Sequence, residues 1–260
     1  LPIVNVAFTN PSYGVDQVVL REGVTPADVK GQKVAAPEAF IGHILVGVWM
    51  DQNGISADEV DWVNLNADEG VGPMISGDIA AAYMYEPYTS KLVAAVDGTQ
   101  IVADTSQDTY KDMGLFGDSI YMNTNFIKNR RDVALDMLKA RWDAVQYWHD
   151  NTEEVNQLWA DYLKWPVEDI GFVTGTNGKY FLGGIYMFDF NESAQFCGVM
   201  DGEPMFGSNG GFNDAVSTTN EWWVKLGVMK TAHDPTKGID CSLMGDLAKA
   251  GYSQSITARE

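Results

Sequence analysis

Over roughly the first hundred residues, short apolar runs alternate with helix-length stretches, and this alternation constrains the fold more than any other feature of the chain. NVAFTN and QVVLR are strand-like, and VTPADVKG is a single helical turn in which Thr25 caps, Pro26 takes the first helical position and Gly31 ends the turn. KVAAPEAF is a short strand leaving through a proline turn. GHILVGVWMDQNG places Ile44, Leu45, Val48 and Trp49 on one helical face and stops at Gly54. VDWVNLN is a strand, DEGVGPMIS a short helix and DIAAAYMY a strand, and TQIVADTS and DSIYMNTN follow as strands. Strands separated by helices imply an α/β fold with a mainly parallel sheet.

From Asn129 the pattern turns helical. DVALDMLKARWDAVQYW carries Ala134, Leu135, Leu138, Trp142 and Val145 at three- and four-residue spacing. Asn151 with Glu154 three residues on has the form of a capping box. Pro166 starts a further helix, residues 171–213 read as loop, and DAVSTTNEWWVKLGVM reads as another helix. There is no internal repeat and no low-complexity linker.

A length of 260 residues suits one large domain or two modest lobes, and 45% apolar residues is ordinary for a globular chain. No stretch approaches the ~20 apolar residues that a membrane span needs. The start, LPIVNVAFTN, reads as a strand inside a domain rather than as a signal peptide. Acidic residues outnumber basic ones 36 to 17, a net charge of −19, which argues against nucleic-acid binding and suits a protein that stays monomeric in salt. Cys197 and Cys241 form no C-x-x-C pair; one disulfide or two buried thiols both fit.

The motifs of nucleophilic hydrolases, phosphate-binding loops, dinucleotide folds and zinc peptidases are absent, and His43, His149 and His233 have no partner at metal-ligand spacing. No metal and no cofactor are expected. His149 closes a helix and reads as structural, and His233 as solvated. His43 falls in the first turn of a helix, where free N–H groups can receive an anion or where the ring faces water. In open α/β sheets, ligands bind at the carboxyl ends of strands. The turns Phe40-Ile41-Gly42-His43 and Tyr85-Glu86-Pro87 are both such ends, on two parallel strands, so both should face one cleft. Glu86 then ends its strand where a pocket opens; alternatively it caps the following turn or pairs with Lys91.

The order of ADVKGQKVAAPEAFIGH, ISGDIAAAYMYEPYTSKL and GTQIVADTS resembles the substrate-binding proteins of nitrate/sulfonate/taurine-type ABC transporters, a group that includes thiamine-pyrimidine precursor binders. Asp28 to Ala35 match the first block with Val29 for Leu; Gly42 and His43 match the second; Gly77, Asp78, Ala80, Glu86, Pro87 and Tyr88 match the third, with Tyr85 in place of Trp. The resemblance implies a type II periplasmic binding protein: two α/β lobes joined by two crossing segments, with a ligand cleft between them. It implies residues 32–125 as lobe two, and 1–31 with 126–260 as lobe one. The two βα units that usually open lobe one have no counterpart. The turn Glu38-Ala39-Phe40-Ile41 lacks the hydroxyls common at this position, and the loop 201–213 looks long.

The ligand set implied is Phe40, Ile41, Gly42, His43, Tyr85 and Glu86, with Ser12 and Tyr13. The function implied is the extracytoplasmic solute-binding component of an ABC importer, periplasmic or extracellular, with a lipid anchor on the full-length precursor as an option. Its partners would be a small ligand and a membrane permease. Glu86 accepts hydrogen bonds when ionised, so it favours an amine, an amino-sulfonate or a pyrimidine-like solute and disfavours nitrate. The alternatives are a thiamine-pyrimidine-synthase-like enzyme, which would carry a cysteine-rich motif, and a ligand-sensing domain, which would sit beside regulatory segments. Neither accompaniment is present, so the expectation is no enzyme.

Overall fold

The computed structural model describes residues 2–256. In chain order the elements are β1 (Ile3–Tyr13), β2 (Asp16–Leu20), β3 (Lys33–Ala35), α1 (Ile41–Gln52), β4 (Asp61–Val63), α2 (Ala67–Ser76), β5 (Ala81–Tyr85), α3 (Tyr88–Ala95), β6 (Gln100–Asp104), α4 (Asp108–Lys111) and β7 (Gly117–Asn123). They continue with α5 (Thr124–Asn129), α6 (Arg131–Asp150), α7 (Thr152–Leu163), α8 (Val167–Thr174), β8 (Gly184–Ile185), α9 (Phe190–Phe196), α10 (Phe212–Lys225) and α11 (Ser242–Lys249).

The strands form two sheets. One has the order β4-β3-β5-β2-β6, the other β7-β1-β8. β3 runs parallel to β4 and β5, but β2 is antiparallel to both β5 and β6, so the larger sheet is mixed rather than mainly parallel. Successive strand residues point to opposite faces, and here both faces are covered. Val18, Leu20, Val34, Ala81 and Tyr83 join the cluster built on α1, while Val19, Ala35, Ala82 and Met84 pack with Ala67, Met74 and Leu92 of α2 and α3. The smaller sheet is covered by α6, α9 and α11, through Leu138, Trp142, Phe190, Ala194, Leu243, Met244 and Leu247. A disulfide joins Cys197, which caps the C-terminus of α9, to Cys241, which precedes α11.

The pairing differs from the expected lobe boundaries at both ends. β2 was expected with lobe one, yet it lies inside the larger sheet between β5 and β6; β7 was expected with lobe two, yet it pairs with β1. The chain therefore passes between the sheets at Gly14–Val15 and again at 105–116. Those passages touch: the hydroxyls of Ser12 and Thr105 are hydrogen-bonded, and the Gly14 N–H donates to Thr105 Oγ1 at 3.1 Å. A third contact comes from α10, which lies on α1. Lys225 Nζ meets Asp51 Oδ1 at 2.6 Å, and a Cβ on Gly47 would come within 2.9 Å of Leu226.

Three local expectations fail. One is the loop reading of 171–213, a stretch that holds β8 and the short helix α9, whose side chains Phe190 and Ala194 are buried. Asn151 does not cap α7 through its side chain; its Nδ2 donates back to Tyr147 O, answering a carbonyl of α6, and Glu154 accepts from the Tyr147 hydroxyl. α11 has no counterpart in the sequence reading: its apolar face, Leu243, Met244 and Leu247, spans barely two turns.

Candidate functional site

A cavity of about 760 Å³ opens between the carboxyl ends of β3 and β5 and the helices α6, α7 and α8. One wall is Asp16, Phe40, Ile41, Tyr83, Tyr85 and Glu86; the other includes Arg141 and Trp148 of α6, Trp159 and Tyr162 of α7, and Ile170 of α8. Asn10, Ser12 and Asp118 also reach it. The placement follows from the parallel pairing of β3 with β5, which delivers the turns after both strands to the same side.

The acidic wall is a bonded unit. Asp16 is 6% exposed, and the Tyr83 hydroxyl donates to its Oδ1. Burial pushes the Asp16 carboxyl up from its ordinary value, against the opposing effect of hydrogen bonds from Tyr83 and Ser12. The Tyr83 phenol is pushed well up, first by burial and then by the Asp16 charge. Glu86 is 5% exposed; its backbone N–H donates to Val15 O, and its Oε2 accepts from the Ser90 N–H at 3.1 Å. Phe40 stands against Tyr83 at 6.2 Å between ring centroids, and Tyr83 against Tyr85 at 5.9 Å.

The opposite wall supplies a cation. Arg141 Nη2 donates to Asn10 Oδ1 at 2.9 Å, and Asn10 Nδ2 donates to Asp118 Oδ2 at 3.1 Å. Among the described residues no carboxylate lies within ion-pair distance of Arg141, and desolvation draws its pKa down. A largely enclosed guanidinium with a neutral partner keeps donors free for a planar or tetrahedral oxyanion. Among the described residues no group of three His, Cys, Asp or Glu side chains is placed to hold a metal.

Of the residues expected from sequence, Phe40, Ile41, Tyr85, Glu86 and Ser12 line the cavity. The Ser12 hydroxyl is committed to Thr105 and to the Asp16 N–H. Gly42 is beside the site rather than in it: a Cβ there would lie 2.4–2.7 Å from the Tyr83 ring, so glycine makes room for that ring against α1. His43 and Tyr13 lie elsewhere. His43 is 7% exposed and packs edge-on to Trp62 at 4.6 Å and near Trp223 at 6.2 Å, with Nδ1 unpartnered and its pKa lowered by burial. Helix periodicity turns it 100° from Gly42, away from the cleft. Tyr13 packs on Tyr186 and Phe206. Glu86 does not pair with Lys91, which is 4.0 Å from Asp169.

The family model described as the NMT1-like family matches residues 15–161, more than half of the chain. The chain belongs to the NMT1-like family. This NMT1-like chain is similar to a protein of Brucella abortus (strain 2308) named as a binding protein, with 24% identity over 150 residues, 57% of this chain and 46% of the relative. It spans about half the length of the curated relatives it matches. Its fold is that of the periplasmic binding proteins. It superimposes on the periplasmic aliphatic sulphonate binding protein SsuA of Escherichia coli with a TM-score of 0.66 and 14% identity, over 92% of this chain and 69% of that one. For the periplasmic nitrate-binding protein NrtA of Synechocystis PCC 6803 the TM-score is 0.63 and the identity 16%, over 96% and 68%. The desulfurization enzyme DSZB also matches, with a TM-score of 0.57 and 13% identity, over 96% and 80%.

Asp16, Tyr83 and Arg141 were not singled out from the sequence of this NMT1-like chain. Asp16 opens an apolar strand, DQVVL, where an acid at a strand start reads as a solvated end. Arg141 sits among polar residues of an amphipathic helix, and nothing in KARWDAV distinguishes an inward cation from an outward one.

Proposed function

We propose that this chain forms the solute-holding body of an extracytoplasmic substrate-binding protein of an ABC importer, and that its cleft binds a small organic solute through an oxyanion group, sulfonate or carboxylate. Arg141 carries the reading. A guanidinium with free donors in an aromatic cavity is costly to leave unmatched and is well shaped for such a group. Relatives named for sulfonate binding share the fold, which raises the same class of solute. Delivery to a membrane permease and a periplasmic location belong to this proposal. No described helix is long and apolar enough to cross a membrane.

Binding without turnover is the reading preferred over an enzyme of the same fold. Both cysteines are bonded to each other, and neither lines the cavity. The Ser12 hydroxyl, which does line it, has no histidine partner.

The test is Arg141→Met, measured with the full-length protein by calorimetric titration of alkanesulfonates and carboxylates. Loss of a charge-assisted contact of about 1.5–3 kcal/mol weakens binding roughly ten- to a hundredfold. An Arg141→Met protein that melts as the parent does and binds every oxyanion equally well removes Arg141 from the site.

A further inference from the structure

We propose that the cleft takes a zwitterionic solute, its oxyanion at Arg141 and an alkylated ammonium group against the wall of Phe40, Tyr83 and Tyr85 beside Glu86. The inference rests on the reading of this cleft as an oxyanion site and names the other end of the solute.

Glu86 is the reason a plain anion is the wrong complement. It is 5% exposed and lines the cavity; Oε2 holds the Ser90 N–H, and no hydrogen bond within the described residues reaches Oε1. That second oxygen is open to the cavity, where a cation can meet it directly. Asp16 adds a second enclosed carboxyl group on the same wall. An inorganic oxyanion would leave Glu86 facing like charge and would fill a minor part of about 760 Å³.

The rings decide the type of cation. Phe40, Tyr83 and Tyr85 form a continuous series at 6.2 and 5.9 Å, and the Tyr83 hydroxyl is already spent on Asp16. A primary ammonium carries three donors and a tight hydration shell that ring faces cannot replace; the acceptors this wall could offer it are Glu86 Oε1, Asp16 Oδ2 and the Tyr85 hydroxyl. An alkylated ammonium has no such demand; it gains from ring faces and from a nearby carboxylate without needing directed hydrogen bonds. A neutral alkyl group would suit the rings and leave Glu86 unanswered.

The experiment titrates the full-length protein with propane-1-sulfonate, 3-aminopropane-1-sulfonate and 3-(trimethylammonio)propane-1-sulfonate. The trimethylammonio compound is expected to bind roughly tenfold or more tightly than the other two. Phe40→Ala and Tyr85→Leu should each remove roughly three- to thirtyfold of its affinity and cost propane-1-sulfonate less, so that the preference for the trimethylammonio compound shrinks. Phe40 is 48% exposed, so its truncation spares the fold. Equal binding of the three compounds, or an advantage that survives both substitutions, overturns the inference. Arg141-dependent binding of propane-1-sulfonate with no gain from the ammonium leaves the oxyanion reading standing alone. Failure of all three compounds and of the carboxylate counterparts, butanoate and 4-(trimethylammonio)butanoate, to bind overturns both.

Discussion

Glu86 joins two jobs in one side chain. Its Oε2 takes the third N–H of α3, where the N-cap is Pro87 and offers no side-chain acceptor, while its other oxygen belongs to the cavity. Glu86→Gln is therefore expected to act twice. The amide oxygen can still cap, so ligand-free unfolding free energy should fall by no more than about 1 kcal/mol. The lost charge should weaken a cationic ligand roughly ten- to a hundredfold. Parallel calorimetry and urea melts read the two effects, and unchanged affinity removes Glu86 from recognition. Asp16 gives a pH dependence of definite sign. Burial raises its pKa in the folded state, so the folded chain holds that proton more tightly than the unfolded chain does. Its carboxyl group thus lowers stability as pH rises from the ordinary carboxylate value through the raised one. Asp16→Asn should melt higher than the parent at pH 7, with the gap closing towards pH 4; a gap that is constant with pH contradicts this. Glu86 could be found from sequence because a charge between two tyrosines and a proline is a poor ending for a buried strand. Arg141 could not, because whether a polar helix position faces in or out is decided by the sheet on which the helix lands.

At the scale of elements, the close approach of α1 to β5 depends on one missing side chain. Gly42→Ala would set a methyl group 2.4–2.7 Å from the Tyr83 ring, which is itself tied to Asp16. Overpacking of this kind costs about 1–3 kcal/mol, and the Tyr83–Asp16 pair should shift with it. A urea midpoint equal to the parent's would mean that the ring moves freely. The Cys197–Cys241 bond closes a sequence separation of 44 residues and fixes α9 to α11. On the chain-entropy account, its loss in a double alanine variant costs about 4 kcal/mol, measured as a drop in unfolding free energy without reductant. The parallel pairing of β3 and β5, and so the meeting of their two turns, was legible from alternation and proline alone. The antiparallel insertion of β2 was not: QVVLR reads as a buried strand in either direction. α10 was legible as a helix, but not its seat on α1, because Gly47 reads as ordinary helix tolerance until Leu226 is found against it.

The whole chain carries a net charge of −19, which repels itself in the folded state more than in the expanded one. Raising salt from about 10 mM to 500 mM shortens the screening length from roughly 30 Å to about 4 Å and should raise the ligand-free melting temperature. A flat or falling response would mean that the six lysine and arginine ion pairs found among the described residues outweigh the repulsion. The binding-protein architecture was legible from the order of weak motifs, whereas the lobe boundaries were not, since a strand does not announce which of two sheets it will join. Ser12 and Thr105 sit on the two separate chain passages and are bonded to each other, and the Gly14 N–H is bonded to Thr105 as well. Both bonds end on Thr105 Oγ1, so the two straps are tied at a single knot. Relative motion of the sheets is expected to pivot about that knot, with the seat of α10 on α1 as a second restraint. A distance between a probe at the Phe40 turn and a probe at Tyr162 should then change on ligand binding, and a constant distance contradicts the pivot.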